Sequence, residues 1–331
     1  MRPRTSLALM GLCAAPAWAQ PVRVARVGWV GGQAGPNSLP TPTYLQALRE
    51  SLRDKGWVEG RNLQLEVRWG TRDMAVRLAN ERVEQRIDVL VVQGTMVLGA
   101  KQLQAPPLIV FGFSGDPVVA GLVASVARPG GRLTGVAMQS LPLVGKRMEI
   151  LKEIQPSVRR IAILANPTHP GEQLELRQSQ DAARQLCLEV SYHPVTIERE
   201  FQAAFEVMQR SRPDAIIAFP DATIISQAGA IAAFSARQRI PAVSDWSEFV
   251  EAGNLMSYGP NLLAVWRQTA DMVDRVLRAA RPQGHAGAAA AALRAGAEPE
   301  GGAGLGQCAA AGDSAACRPV DRVAGQPGQG C

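Results

Sequence analysis

Cysteine is scarce and poorly placed for a disulfide framework: five in 331 residues. Cys13 lies in the N-terminal leader-like segment and Cys308, Cys317 and Cys331 in an Ala/Gly-rich C-terminal stretch, which leaves Cys187 alone where strand and helix periodicity runs. One thiol cannot close an internal disulfide, and no CxxC or Cys/His spacing suggests zinc. Cys187, after Leu186 on a helix-like segment, reads as a small buried hydrophobe. Histidine is scarcer still, with His169, His193 and His285 only. No GxxxxGK[ST] occurs, and Gly28, Gly31, Gly32 and Gly35 miss the GxGxxG spacing. Gly112-Phe-Ser-Gly-Asp116 puts an aspartate where a nucleophile elbow needs glycine. No apolar run reaches the about 20 residues that span a bilayer. The net charge of +6 is spread, with Lys and Arg interleaved with Asp and Glu along 49–86 and 147–160. That pattern is a solvated surface and argues against a nucleic-acid partner, which needs clustered positive charge.

What is present begins with an export signal. Arg2 and Arg4 form a positive start, Ser6 to Ala15 a short apolar core, and Ala17-Trp18-Ala19 a small-residue cleavage site before Gln20. Residues 1–19 are therefore expected to be a cleaved signal and the mature protein to be periplasmic. Cys13 offers the alternative of a lipid anchor, which the bulky Leu12 before it disfavours.

The remaining chain alternates. Val22–Val30 is a β-branched run, Tyr44–Lys55 shows helical spacing of Leu45, Leu48 and Leu52, and Asn62–Trp69 alternates at period two. A helix over 72–86, a strand at Val89–Val92, a short helix to Gln104 and a strand at Leu108–Phe111 complete a βαβαβαβ unit. A second round starts at Leu143, with strands at Arg160–Ala165, Leu188–His193, Ala215–Phe219 and Ile240–Val243 between helices. The fold class is α/β: two similar doubly wound parallel-sheet lobes with a hinge. Length and a 47% hydrophobic content allow each lobe a core.

Ligands of such sheets sit outside the carboxyl ends of the strands. The post-strand loops hold donors without catalytic power: Thr95, Ser114, Asn166 and Thr168 suit a carboxylate and other polar atoms. Asp116, Asp221 or Asp245 could pair with an ammonium, and Trp29, Trp246 and Tyr258 could form an apolar or cation–π wall. Each has a plainer role open to it. Asp116 and Asp221 sit where helix N-caps sit, Asn166 before Pro167 shapes a turn, and Trp29 fits a core. No catalytic set, metal site or cofactor is expected.

The stretch Pro241–Pro260, PAVSDWSEFVEAGNLMSYGP, is read as the place where the backbone leaves one lobe, lines the cleft and enters the other. Its segments Asp245–Gly253 and Leu255–Pro260, with Arg128-Pro-Gly-Gly-Arg-Leu-Thr-Gly-Val136, resemble the ABC-transporter substrate-binding protein family that includes tryptophan- and tyrosine-type binders. Arg132-Leu133 replaces the family's common Asn-Val pair. The resemblance covers about 22–281. It implies a type I periplasmic binding fold, with 22–137 plus 259–281 as one lobe and 138–258 as the other, and an Asn166-Pro167 loop that faces the cleft. It also implies capture of an amino acid or similar small carboxylate by closure about hinges near Met138–Leu141 and Leu255–Pro260. The partners implied are an ABC permease and its separate ATPase, and the protein is read as a monomer.

From about Gln283 the periodicity stops, and residues 283–331 read as an aberrant, disordered tail. The family would continue here with a strand and helix resembling MPVxQPxxYELVLNLK. His285–Gly302, written in GC-rich codons and read one nucleotide later, yields MPVQQPLRYELVLNLK. A slipped reading frame near Pro282 is therefore expected to cost the second lobe a strand and leave a bare sheet edge. Two rivals to the binding reading remain: an exported α/β hydrolase with Ser114 as nucleophile and His169 as base, and a ligand sensor for a membrane kinase.

Overall fold

The computed structural model describes residues 23–32, 41–70, 74–84, 86–103, 106–138, 140–279 and 307–310. The expected export signal, residues 33–40 and most of the expected tail lie outside these residues. The first sheet comprises β1 (Ala25–Gly32), β2 (Leu63–Gly70), β3 (Val89–Gln93), β4 (Leu108–Phe113) and β5 (Leu133–Ala137), all parallel, in the order β2-β1-β3-β4-β5. Buried Val, Leu and Ile on both faces of β3 and β4 fit strands covered by helices on either side. The helices are α1 (Thr41–Asp54), α2 (Ala75–Glu84) and α3 (Val97–Ala100).

The second sheet repeats the arrangement. It holds β6 (Arg160–Ala165), β7 (Glu189–Pro194), β8 (Ala215–Ala218), β9 (Ala242–Ser244) and β10 (Met256–Gly259), ordered β7-β6-β8-β9-β10 and parallel. Around it lie α4 (Val144–Ile154), α5 (Glu172–Gln185), α6 (Glu200–Ser211), α7 (Ala222–Ser226), α8 (Ala228–Gln238) and α9 (Ser247–Glu251). Both lobes thus have the topology 2-1-3-4-5, which places the post-strand loops of each at the end where ligands bind.

A last helix, α10 (Leu262–Ala279), buries Leu262, Val265, Trp266, Thr269, Val273, Val276 and Leu277 on one face. It is tied to α1 and the turn after it: Trp57 Nε1 donates to Asp274 Oδ1 at 2.7 Å, Arg278 Nη2 donates to the Lys55 carbonyl at 2.9 Å, and Lys55 pairs with Asp271.

Three expectations change. Pro241–Pro260 is mostly not a crossing: it contains the whole of β9, the five-residue α9 and β10, so it completes the second sheet, and the chain passes to α10 only after it. Its elements of three to five residues are too short to show a period. The tail is not wholly without structure, because Gln307–Ala310 forms β11, antiparallel to β10 with Met256 opposite Ala310 and Gly259 opposite Gln307. The outer edge of β10 is therefore paired rather than bare. Cys187 is exposed, in left-handed backbone with φ 54°, and disulfide-bonded, not a small buried hydrophobe.

Candidate ligand cleft

The two lobes meet at the carboxyl ends of their strands. Ser114, one residue beyond β4, and His169, in the loop after β6, are joined by a 2.9 Å contact between Oγ and Nε2. Phe113 stacks on the imidazole, with ring centroids 5.8 Å apart. His169 Nδ1 accepts from the Gly171 backbone N–H at 3.2 Å, so the neutral ring carries its proton on Nε2 and donates it to Ser114. A hydrolase would need the Nε2 lone pair to take the serine proton. The pair is a clasp between lobes.

Beside the clasp the second lobe builds a polar network. Asn166 and Asp221, both buried, join the ends of β6 and β8: Asn166 Nδ2 donates to Asp221 Oδ1 at 3.0 Å, and the same oxygen accepts from the Thr223 N–H at 2.8 Å, capping α7. Asn166 Oδ1 accepts from the Thr168 N–H at 3.0 Å and from Thr168 Oγ1 at 2.8 Å. Ser114, Asn166, Thr168 and Asp221 are thus brought together around His169, with Thr168 the exposed member.

The other expected residues are placed differently. Asp116 is exposed, and its Oδ1 accepts from the Val118 and Val119 N–H groups at 2.7 and 3.0 Å, so it stabilises its own loop. Thr95 is half-buried in the 3-10 turn after β3. Trp246 is buried at the N-terminal end of α9. Tyr258 is half-buried on β10, within electrostatic reach of Lys146 on α4.

Asp245 is engaged from behind. Arg147 of α4, 1% exposed, pairs with Asp245 and, at 2.9 Å, with Glu175 of α5. Burial pushes the Glu175 carboxyl up to about 7 against the opposing pull of Arg147. Burial also lowers the Arg147 pKa. Composition and motifs did not disclose Arg147 or Glu175. The available signal was the spacing of Arg147 with Val144, Met148 and Leu151, which puts it on the buried face of α4.

On the first lobe, Trp29 is buried in a cluster of rings: its centroid lies 4.7 Å from Trp266 and 5.9 Å from Trp69, and Tyr44 stacks on Trp266 at 6.1 Å. Glycines make room for it. A Cβ on Gly112 would lie 2.9 Å from Trp266, and one on Gly31 would lie 2.1 Å from the Trp69 ring. Trp29 Nε1, Trp266 Nε1 and the Tyr44 hydroxyl are buried with no hydrogen-bond partner among the described residues. Such orphaned donors cost about 1–3 kcal/mol each. Glu248 of α9, on the other lobe, acts electrostatically on the Tyr44 hydroxyl, whose pKa is raised by burial and then by Glu248. Burial likewise raises the Glu248 pKa. Among the described residues no group of three or more His, Cys, Asp or Glu side chains is placed to hold a metal ion.

Two parallel-sheet lobes of one topology, meeting at their strand ends, define a type I periplasmic binding fold. The sequence profile described as "ABC transporter substrate binding protein" matches residues 42–289, and the chain belongs to that family. A similar curated protein is a tyrosine-binding protein of Clostridioides difficile (strain R20291), 23% identical over 214 residues; the match spans 63% of this chain and 61% of the relative's length. Similar solved structures include a conserved domain protein of Vibrio cholerae O1 biovar eltor, with TM-score 0.72, 25% identity, and coverage of 78% of this chain and 87% of that one. An ABC domain from Streptococcus pneumoniae in complex with L-Trp has TM-score 0.71 and 20% identity, covering 78% and 86%. A solute-binding protein of R. palustris in complex with benzoate has TM-score 0.59 and 14% identity, covering 83% and 85%.

Proposed function

We propose that the chain is a monomeric periplasmic solute-binding protein, exported with loss of residues 1–19, that closes on an amino acid or aromatic carboxylate and presents it to an ABC permease driven by a separate ATPase. The first sheet with α10 moves as one lobe and the second sheet, β10 included, as the other, the chain bending where it crosses near 138–141 and just after Pro260. The observation that carries the reading is the Ser114–His169 clasp, a contact between lobes at the strand ends where a bound ligand would be enclosed. Family membership supports the transport role, and the ligands named for the tyrosine-binding relative and the L-Trp and benzoate complexes supply the ligand class. The ligand acts by preferring the closed arrangement, which shifts an open–closed equilibrium without any bond being made.

The test is a thermal-shift and calorimetric screen of the chain from Gln20 against L-tyrosine, L-tryptophan, benzoate, 4-hydroxybenzoate and sugars. A ligand at a hundred times its dissociation constant adds about 2.7 kcal/mol to the folded state, or roughly 5–10 °C in midpoint. A shift confined to sugars, or turnover of an ester substrate, would sink the reading. The slipped frame near Pro282 belongs to the same proposal. Sequencing the coding DNA tests it, and absence of a +1 frame reading MPVQQPLRYELVLNLK ends it.

A further inference from the structure

Arg147 is 1% exposed, and its guanidinium spans two carboxylates from different elements, Glu175 of α5 and Asp245 after β9. Nη2 donates to Glu175 Oε1 at 2.9 Å. Asp245 is held as an ion pair without hydrogen-bond alignment, and Nε has no partner among the described residues. Such a cluster is an inefficient way to stabilise a fold, because the desolvation of buried charges offsets most of their attraction and apolar side chains of similar volume often do as well. Its placement points to another role.

Each of the three groups stands one short step from a part that closure uses. Arg147 is in the first turn of α4, directly after the chain crosses between lobes near 138–141. Glu175 is in the first turn of α5, and backbone bonds lead from it to the clasp: the Glu175 N–H donates to the Gly171 carbonyl at 3.0 Å, the Glu172 N–H to the His169 carbonyl at 3.1 Å and the His169 N–H to the Asn166 carbonyl at 3.0 Å. Asp245 stands three positions before Glu248, the residue of α9 that interacts with Tyr44 of the first lobe. A planar guanidinium fork holds two carboxylates in fixed directions, which a flexible ammonium does not.

We infer that Arg147 is a positioning residue for closure: through Glu175 it holds the His169 loop, and through Asp245 the turn into α9, at the spacing from the crossing at which Ser114 and Tyr44 of the first lobe meet them together. It acts through these residues and not on the ligand. This rests on the solute-binding reading above and names what aligns the second lobe for closing.

The experiment measures affinity by calorimetry for those of L-tyrosine, L-tryptophan, benzoate and 4-hydroxybenzoate that bind the parent chain, in the parent, Arg147→Lys and Glu175→Gln, each with and without Ser114→Ala. Arg147→Lys, checked for a cooperative melt, should weaken binding by about tenfold or more, because a charge-assisted hydrogen bond and its geometry are lost. Glu175→Gln keeps an acceptor for Nη2 and should stay within about threefold of the parent. Ser114→Ala should weaken the parent by about threefold to tenfold but change the Arg147→Lys affinity by less than about twofold, because the clasp is already out of place. A residue that only stabilised its own lobe would leave the Ser114→Ala effect whole. That result overturns the inference, as does an Arg147→Lys variant that binds like the parent. Glu175→Ala takes the place of Arg147→Lys if the lysine variant does not fold. If no probe binds a cooperatively folded parent, the solute-binding reading with this ligand class fails separately, and the nitrogen NMR spectrum of labelled histidine decides the inference. Arg147→Lys should then shift the His169 signals, assigned with His169→Ala, from those of an Nε2-protonated ring toward a tautomer average, and an unmoved spectrum overturns it.

Discussion

Ser114 and His169 lie 55 positions apart and on different lobes, yet the serine Oγ and the imidazole Nε2 stand 2.9 Å from each other, with Phe113 stacked against the ring. The contact exists only while the strand ends of the two sheets face each other. A single neutral hydrogen bond contributes about 0.5–1.5 kcal/mol net. Ser114→Ala or His169→Ala should therefore weaken ligand affinity by about threefold to tenfold, chiefly through faster release, and leave the melting midpoint of the unliganded chain within a degree or two. Stopped-flow measurement of the release rate checks this, and an unchanged rate would remove the clasp from the mechanism.

The Arg147–Asp245–Glu175 cluster makes a statement about pH. The Glu175 carboxyl titrates at about 7 in the folded chain against the ordinary 4.5, so the folded state holds a proton that the unfolded state has released. Its stabilising contribution is present at low pH and is lost as pH rises through 7. The midpoint should fall by a few degrees between pH 6 and 8, and Glu175→Gln should flatten that slope. Differential scanning calorimetry at several pH values decides it.

Removing the cation of that cluster is harsher. Arg147→Met leaves the buried carboxyls of Asp245 and Glu175 without their shared cation, and breaking a buried pair in this way costs about 3–5 kcal/mol. The doubled change to Arg147→Met with Glu175→Gln should recover part of the loss. Urea unfolding of the two variants measures the recovery, and additive losses would show that the groups do not interact.

Glu248 links closure to protons. Burial raises its carboxyl and outweighs the downward pull of its contact with Tyr44 of the opposite lobe, so the closed form binds a proton more tightly than a form in which the two lobes have parted and the carboxyl is wet. Ligand affinity should rise as pH falls toward the raised pKa and decline as pH passes above it. Glu248→Gln should bind ligand with little dependence on pH between 5 and 8. A steeper dependence in the variant would reverse the assignment.

The ring cluster stands on glycine. Gly112→Ala would drive a methyl into the Trp266 indole, and Gly31→Ala would drive one into the rings of Trp69 and Trp29. Overpacking of this kind costs about 1–3 kcal/mol. Both variants should melt several degrees lower, and the indole fluorescence should change with the displaced rings. Unaltered fluorescence with an unaltered midpoint would mean that the rings shift at no cost.

Long buried strands were legible from the chain. Arg160–Ala165 is a strand in the residues its apolar run marks, and the second lobe's alternation follows the 3.6 and 2.0 periods. Short elements were not. The run after Thr223 to Arg237 reads as one helix, whereas Gln227 separates α7 from α8, and β9, α9 and β10 have three, five and four residues, below the length at which a period can be seen. The gathering of Ser114, Asn166, Thr168 and Asp221 at the strand ends was legible because post-strand loops come together there in this topology. The packing of Tyr44 and Trp266 on Trp29 was hidden because both sit at apolar helix positions, where a ring reads as core. Arg147 and Glu175 were hidden because a helical charge reads as surface until its neighbours at three and four residues are compared.

The shared strand order β2-β1-β3-β4-β5 and β7-β6-β8-β9-β10 sets one scaffold on both sides of the cleft with different side chains on each copy. One copy carries indoles, a phenol and glycine, and the other an ion-paired arginine, amides and carboxylates. The two faces are therefore separable: the side chains of one half can drift while the scaffold of the other half stays as it was.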